Sequence, residues 1–156
     1  MTLDYRLCKN PIHLASLGFG AGLSPRAPGT VGTLMALPLW YGLQFLPLPG
    51  YSLVVLLAFG IGVFCCGYTA RAMGVHDHGG IVWDEFVGLW IALWAVPAEP
   101  FWMLAGFGLF RLFDIVKPWP IKWLDQKVHG GLGIMIDDVL AGLFAALILQ
   151  WALYAL

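Results

Sequence analysis

The chain has 156 residues, of which 60% are hydrophobic and only 11% charged, and its formal net charge is -1. So few ionisable groups cannot cover a soluble domain of this length, and the composition points to burial in lipid. A charge this close to zero also excludes nucleic-acid binding by phosphate neutralisation, which needs a basic surface.

The first twenty residues, MTLDYRLCKNPIHLASLGFG, place Asp4, Arg6, Lys9 and Pro11 where a signal peptide needs an unbroken apolar run, so no cleaved leader is expected. Residues 18–32, GFGAGLSPRAPGTVG, are too rich in glycine and proline for a regular helix. Two readings fit them. Successive amides, with the hydroxyls of Ser24 and Thr30, suit an anion-binding nest; a glycine-rich bend leading into a helix capped by Thr30 accounts for the same residues. The Gly-Lys-Ser/Thr ending of a nucleotide-binding loop is missing.

A helix needs about 20 residues, and at least about 17, to cross roughly 30 Å of hydrocarbon. Five segments approach that length: 31–46, 51–73, 81–96, 101–116 and 138–156. The third and fourth are short and fit equally a packed, partly re-entrant hairpin. The expected fold class is therefore all-α, a polytopic membrane helical bundle of about four to five membrane helices with polar loops, residues 1–156 forming one domain. Residues 117–133 are expected as the second polar loop. Cys8, Cys65 and Cys66 are too few and too badly spaced for a disulfide framework or a zinc site, and read as packing residues.

Charge is lopsided along these spans. Arg6, Lys9, Arg26, Arg71, Arg111, Lys117, Lys122 and Lys127 all fall in or beside three polar stretches at one end. The turns at the other end, 47–50 and 97–100, carry only Glu99. By the positive-inside rule the charged end faces the cytoplasm, with the N-terminus inside and, after five crossings, the C-terminus outside.

Five carboxylates join the cations at that end: Asp84 and Glu85, Asp114, and Asp137 and Asp138. Unpaired, they would raise one another's pKa values or destabilise the fold. A divalent cation resolves the conflict, and hard oxygen ligands without cysteine suit Mg²⁺. The competing reading is that each pair starts a helix, where the dipole favours carboxylates. Asp77, seven residues before Asp84, is a further candidate ligand; His76, His78 and His129 are either proton-transfer aids or plain solvated residues. Arg111 and Asp114 share a helix face, either as a self-neutralising ion pair or, with Lys117 one turn on, as part of a phosphate clamp.

Taken in order, GFGAGLSPRAPGT, HDHGGIVWDEFVGLW, FRLFDIVKPWPI and HGGLGIMIDDVLAG closely resemble the motifs of the phosphatidylglycerophosphatase A family, over about residues 12–142. The resemblance implies a Mg²⁺-dependent, multi-pass enzyme of the bacterial inner membrane whose active site faces the cytoplasm. It would convert phosphatidylglycerophosphate to phosphatidylglycerol and inorganic phosphate. Its matching polar groups are Ser24 and Thr30 for phosphate; Asp77, Asp84, Glu85, Asp114, Asp137 and Asp138 for metal; and Arg111 and Lys117 for the transferring phosphoryl group. Asp84, Glu85, Asp114, Arg111 and Lys117 form the expected catalytic set, and Arg26 ranks below Ser24. Neither the Asp-x-Asp-x-Thr/Val signature nor the histidine-nucleophile phosphatase pattern occurs. The alternative from another class is a small membrane transporter lined by buried carboxylates, which needs polar groups at several depths.

Overall fold

A computed structural model of the chain describes residues 3–156, and among these every regular element is helical. An N-terminal arm consists of a 3-10 turn at Tyr5–Lys9, the short helix α1 at Pro11–Ser16 and a second 3-10 turn at Gly18–Leu23. There follow α2 (Pro28–Leu43), α3 (Leu48–Met73), α4 (Trp83–Ala92), α5 (Pro100–Val116), α6 (Ile121–Lys127) and α7 (Gly130–Ala155). Local chemistry sets several boundaries. Pro11, Pro28 and Pro100 each open a helix, where the missing N–H is no loss, and Asn10 accepts the Ile12 N–H at 2.9 Å. Gly74 ends α3 in the left-handed conformation, with φ 71°.

The all-α class holds, but fewer than the expected four to five helices have the length and hydropathy of a membrane crossing. Two helices, α3 and α7, each 26 residues, are long and apolar enough to cross a membrane. With 16 and 17 residues, α2 and α5 reach only about 25 Å. The third segment follows the packed alternative instead of a full crossing. Its helix, α4, has 10 residues, about 15 Å, and nine of them are buried. It is enclosed by α2, α3, α5 and α7 instead of facing lipid. A core helix surrounded by apolar helices and a helix surrounded by lipid have the same all-round hydrophobic sequence.

Three polar bonds hold α4 in its ring. The Trp83 indole N–H donates to the Ala58 carbonyl of α3 at 2.9 Å, and that of Trp90 to the Ala36 carbonyl of α2 at 3.1 Å. The Tyr51 hydroxyl, on α3, donates to the Trp90 carbonyl. Buried indole and phenol groups without partners would destabilise the core, so these bonds also fix the rotation of α4.

The last helix starts eight residues before the expected 138, and the expected loop 117–133 contains α6 as well as the first turn of α7. Glycines at 130, 131 and 133 lower helix propensity and hid this start. Gly131 allows close approach instead: a Cβ there would overlap the Val63 carbonyl, beside Gly67. Because Gly62 meets Met135 while Gly67 meets Gly131, α3 and α7 run antiparallel. Leu53, Leu56 and Ile61 on α3, Leu104 and Ile115 on α5, and Leu147 and Trp151 on α7 are all exposed, an apolar belt far larger than soluble monomers carry.

The crossing of α4 and α7 is the tightest test of this arrangement. A Cβ on Gly142 would meet the Gly88 carbonyl, whereas one on Gly108 meets nothing. Gly142→Ala is expected to lower stability by about 1–3 kcal/mol, read as the unfolding midpoint in detergent. Gly108→Ala should leave the midpoint unchanged or raise it.

Candidate active site

Carboxylates from three helices converge at one end of the bundle. Asp84 and Glu85 lie in the first turn of α4, Asp114 in the last turn of α5, and Asp137 and Asp138 two turns inside α7. Oxygens of Asp84, Glu85 and Asp138 lie within 4.8 Å of one another, and so do oxygens of Asp114, Asp137 and Asp138. Asp138 belongs to both groups. All but Asp114 are buried, and Asp114 is half-buried. Since α7 begins at Gly130, the reading of Asp137 and Asp138 as helix-starting residues is overturned. Asp84 and Glu85 do sit at a helix start, where the dipole favours them, yet neither side chain caps it.

The two cations brace opposite flanks of this cluster. Arg111 bonds Asp114 through Nη1, the i,i+3 ion pair legible in the sequence, and the same nitrogen lies 3.7 Å from Glu85 Oε1. Lys117 ends α5 with a left-handed backbone, φ 46°, which turns its side chain away from the Arg111 face. Its Nζ meets Asp137 of α7 and, at 3.3 Å, Asp125 Oδ1 of α6. Burial pulls the ammonium pKa down, but Asp137, then Asp125 and Asp138, more than offset it, leaving Lys117 above its ordinary value and charged. A joint clamp of Arg111 and Lys117 on one helix side is therefore replaced by two separate braces.

Five carboxylates thus face two cations. Asp84 Oδ1, Glu85 Oε2, Asp137 Oδ1 and Asp138 Oδ2 are buried without a hydrogen-bond partner, as is Arg111 Nε. Orphaned buried oxygens of this kind are expensive and rare in folded proteins. Oxygen-only donors, closely grouped and in negative excess, fit a hard divalent cation such as Mg²⁺.

The first motif packs onto this centre through its backbone. Gly29, second residue of α2, lies against Glu85 and Arg111; a Cβ there would overlap Glu85 Oε1 and sit 3.3 Å from both Nη1 and Nη2 of Arg111. The amino end of α2, whose first N–H groups lack helical partners, is thereby brought beside the cluster. Thr30 is the third residue of α2 and so does not cap it; that position belongs to Ala27, in the left-handed conformation with φ 45°. The Ser24 hydroxyl donates to the Arg26 carbonyl at 2.8 Å, within its own loop. Gly22 is pressed against the Gly80 carbonyl, and the Val82 N–H donates to the Ser16 carbonyl at 2.9 Å. At Gly22, at least, the glycine serves packing of one loop on the next.

Asp77 lies exposed in the loop between α3 and α4 and belongs to neither oxygen group. In the same loop His78 Nδ1 accepts the Gly80 N–H at 3.0 Å, and the His76 ring lies edge-on to that of His129, 4.8 Å between centroids. The cysteines are free, with Cys65 and Cys66 buried in α3. Two residues with evident parts in the site, Gly29 and Asp125, escaped the sequence reading. For Gly29 the signal was the Pro-Gly pair at a helix start. Asp125 gave none, because its partner is chosen by a backbone turn at Lys117.

The profile of the phosphatidylglycerophosphatase A family matches residues 14–153. A stretch of 143 residues is 59% identical to phosphatidylglycerophosphatase A of Escherichia coli (strain K12), covering 91% of this chain and 83% of that protein. The protein of the same name from Haemophilus influenzae is 50% identical over 143 residues, 89% of this chain and 86% of its own length. A third relative, from Bacteroides thetaiotaomicron, is 41% identical over 148 residues, 89% of this chain and 91% of its own, and is provisionally named a phosphatidylinositol-3-phosphatase. No solved structure matches the chain. The motifs and the fold-wide identity together place the chain in the phosphatidylglycerophosphatase A family of phosphatases.

Proposed function

We propose that the chain is a Mg²⁺-dependent phosphoric monoester hydrolase of the membrane, converting phosphatidylglycerophosphate to phosphatidylglycerol and inorganic phosphate in phospholipid biosynthesis. The observation that carries the metal-dependent part is the pair of oxygen groups joined at Asp138, with four orphaned carboxylate oxygens, in a chain of this family. Asp84, Glu85 and Asp138 would hold one ion and Asp114, Asp137 and Asp138 a second. When bound, Mg²⁺ supplies Lewis acidity toward phosphoryl oxygens and water.

The protein's own groups do the rest. The unpartnered Arg111 Nε–H is available to a phosphoryl oxygen, while the same guanidinium holds Asp114 in place. The amino end of α2 adds the Gly29 and Thr30 amides, and its dipole favours an anion. Lys117 holds the Asp137 carboxylate in place. Water adds at phosphorus, the terminal ester P–O bond breaks, and the lipid alcohol leaves with a proton. A transport pathway has no support, because the buried carboxylates form one cluster instead of a series along the bundle.

In this reading a single membrane domain presents α2, α3, α5 and α7 to lipid. Inside their ring, α4 and the 93–99 turn carry the chain back to the far side. The carboxylate end faces the cytoplasm of a bacterial inner membrane, as the lysines and arginines require.

Purified protein in detergent should release phosphate from phosphatidylglycerophosphate, and chelation should abolish the release. Because Asp138 serves both groups, Asp138→Asn should lower turnover by at least about 100-fold and abolish any Mg²⁺-dependent rise in unfolding midpoint. Turnover indifferent to chelation would refute the metal reading. Gly29→Ala should keep the fold yet lower kcat by about tenfold, since its Cβ displaces Glu85 and Arg111 together; wild-type kcat in that variant would remove the part given to the α2 terminus.

A further inference from the structure

Near the site the two long helices, α3 and α7, meet backbone to backbone at Gly67 and Gly131, and further along, from Phe59 and Val139, a gap lies between their side chains. The gap is a groove of about 510 Å³, walled by Val55 and Phe59 of α3 and by Val139, Leu143 and Ala146 of α7. Its floor is Ile91, the one residue of α4 that is not buried. The lips, Leu56 and Leu143, are exposed and continue the apolar outer belt, so the groove opens sideways toward whatever surrounds the helices.

Its chemistry selects an apolar occupant. The only polar side-chain atoms on the lining are the Ser52 hydroxyl and the Trp94 indole N–H, and they satisfy each other. Trp94 Nε1 donates to Ser52 Oγ at 3.0 Å, and Ser52 donates to the Leu48 carbonyl at 2.9 Å. A space without free polar partners does not hold ordered water, and this volume lies in the roughly 300–1,000 Å³ range of small-ligand sites.

Depth links the groove to the site. Val139 follows Asp138, so the near end of the groove is level with the carboxylates along α7, and Ala146 lies about 10 Å further along the helix. A phospholipid that dips its terminal phosphate into the cluster hangs its acyl chains from the same interface, past that level. We propose that the groove binds an acyl chain of the phospholipid substrate and so anchors the lipid while its headgroup occupies the carboxylate site. This rests on the lipid-phosphatase reading above.

The test compares dioleoyl with dihexanoyl phosphatidylglycerophosphate in detergent micelles, for the wild type and for Ala146→Phe, which fills the groove away from every proposed catalytic group. Ala146→Phe should lower kcat/KM for the dioleoyl substrate about tenfold, through KM, and leave the dihexanoyl value within about twofold. An equal fall for both substrates, or no change in either, overturns the proposal. Should the variant not fold, labelling of the wild type decides. Phosphatidylglycerol with a diazirine midway along one acyl chain should mark Ile91 and residues 139–146, and excess dioleoyl substrate, but not phosphatidylcholine, should suppress the mark. Labelling elsewhere, or equal suppression by both lipids, overturns it. A wild type that hydrolyses neither substrate defeats the phosphatase reading, while the site of labelling still decides the groove.

Discussion

Five carboxylates held beneath the end of a helical bundle, with only Arg111 and Lys117 among the described residues paired to them, are the constraint around which this protein is organised. Helix ends and loops converge there. The amino ends of α2 and α4 point their positive dipole ends at the cluster, and the C-terminal part of α5 supplies Arg111, Asp114 and, at the cap, Lys117. These partial charges lessen the imbalance without removing it, which is the physical ground for proposing a divalent cation there.

Rigidity comes from α4. A helix of 10 residues could not fix two carboxylates by itself, since short helices are marginal even in favourable sequences. Here its indoles reach the backbones of α2 and α3, and Gly88 lets α7 approach, so Asp84 and Glu85 stand on a post clamped from several sides. The exposed Asp77 loop and the Ser24 loop lie outside that clamp. The groove between α3 and α7 follows from the same construction, because α4 ends before it can fill the space between its neighbours.

That Asp84, Glu85, Asp114, Asp137 and Asp138 gather at one end was legible in the sequence because each acid stood out against apolar surroundings, and the i,i+3 spacing of Arg111 and Asp114 made an ion pair one of two readings. Gly29 and Asp125 were missed, and Asp77 and Ser24 lie apart from the oxygen groups. Geometry that depends on backbone turns was not legible. The left-handed residue at Lys117 sends its side chain to Asp125 and Asp137, a choice that side-chain spacing cannot show. The segment around Trp83–Ala92 stayed open between a crossing and a packed hairpin for a different reason: a helix packed on every side by protein needs the same residues as one bathed in lipid. At α7, glycines that look like breaks in a helix are the residues that let it cross its neighbours.

The position of Asp137 and Asp138 has a consequence for biogenesis. An apolar helix bearing two adjacent aspartates resists entry into hydrocarbon, by roughly 2.5–3.5 kcal/mol for each acid near its centre. This helix follows α5 in the chain, so the segment bearing Arg111 and Lys117 is made before it. The order of the segments along the chain therefore supplies counter-charges before the acids that need them, and α7 has cationic partners to settle against.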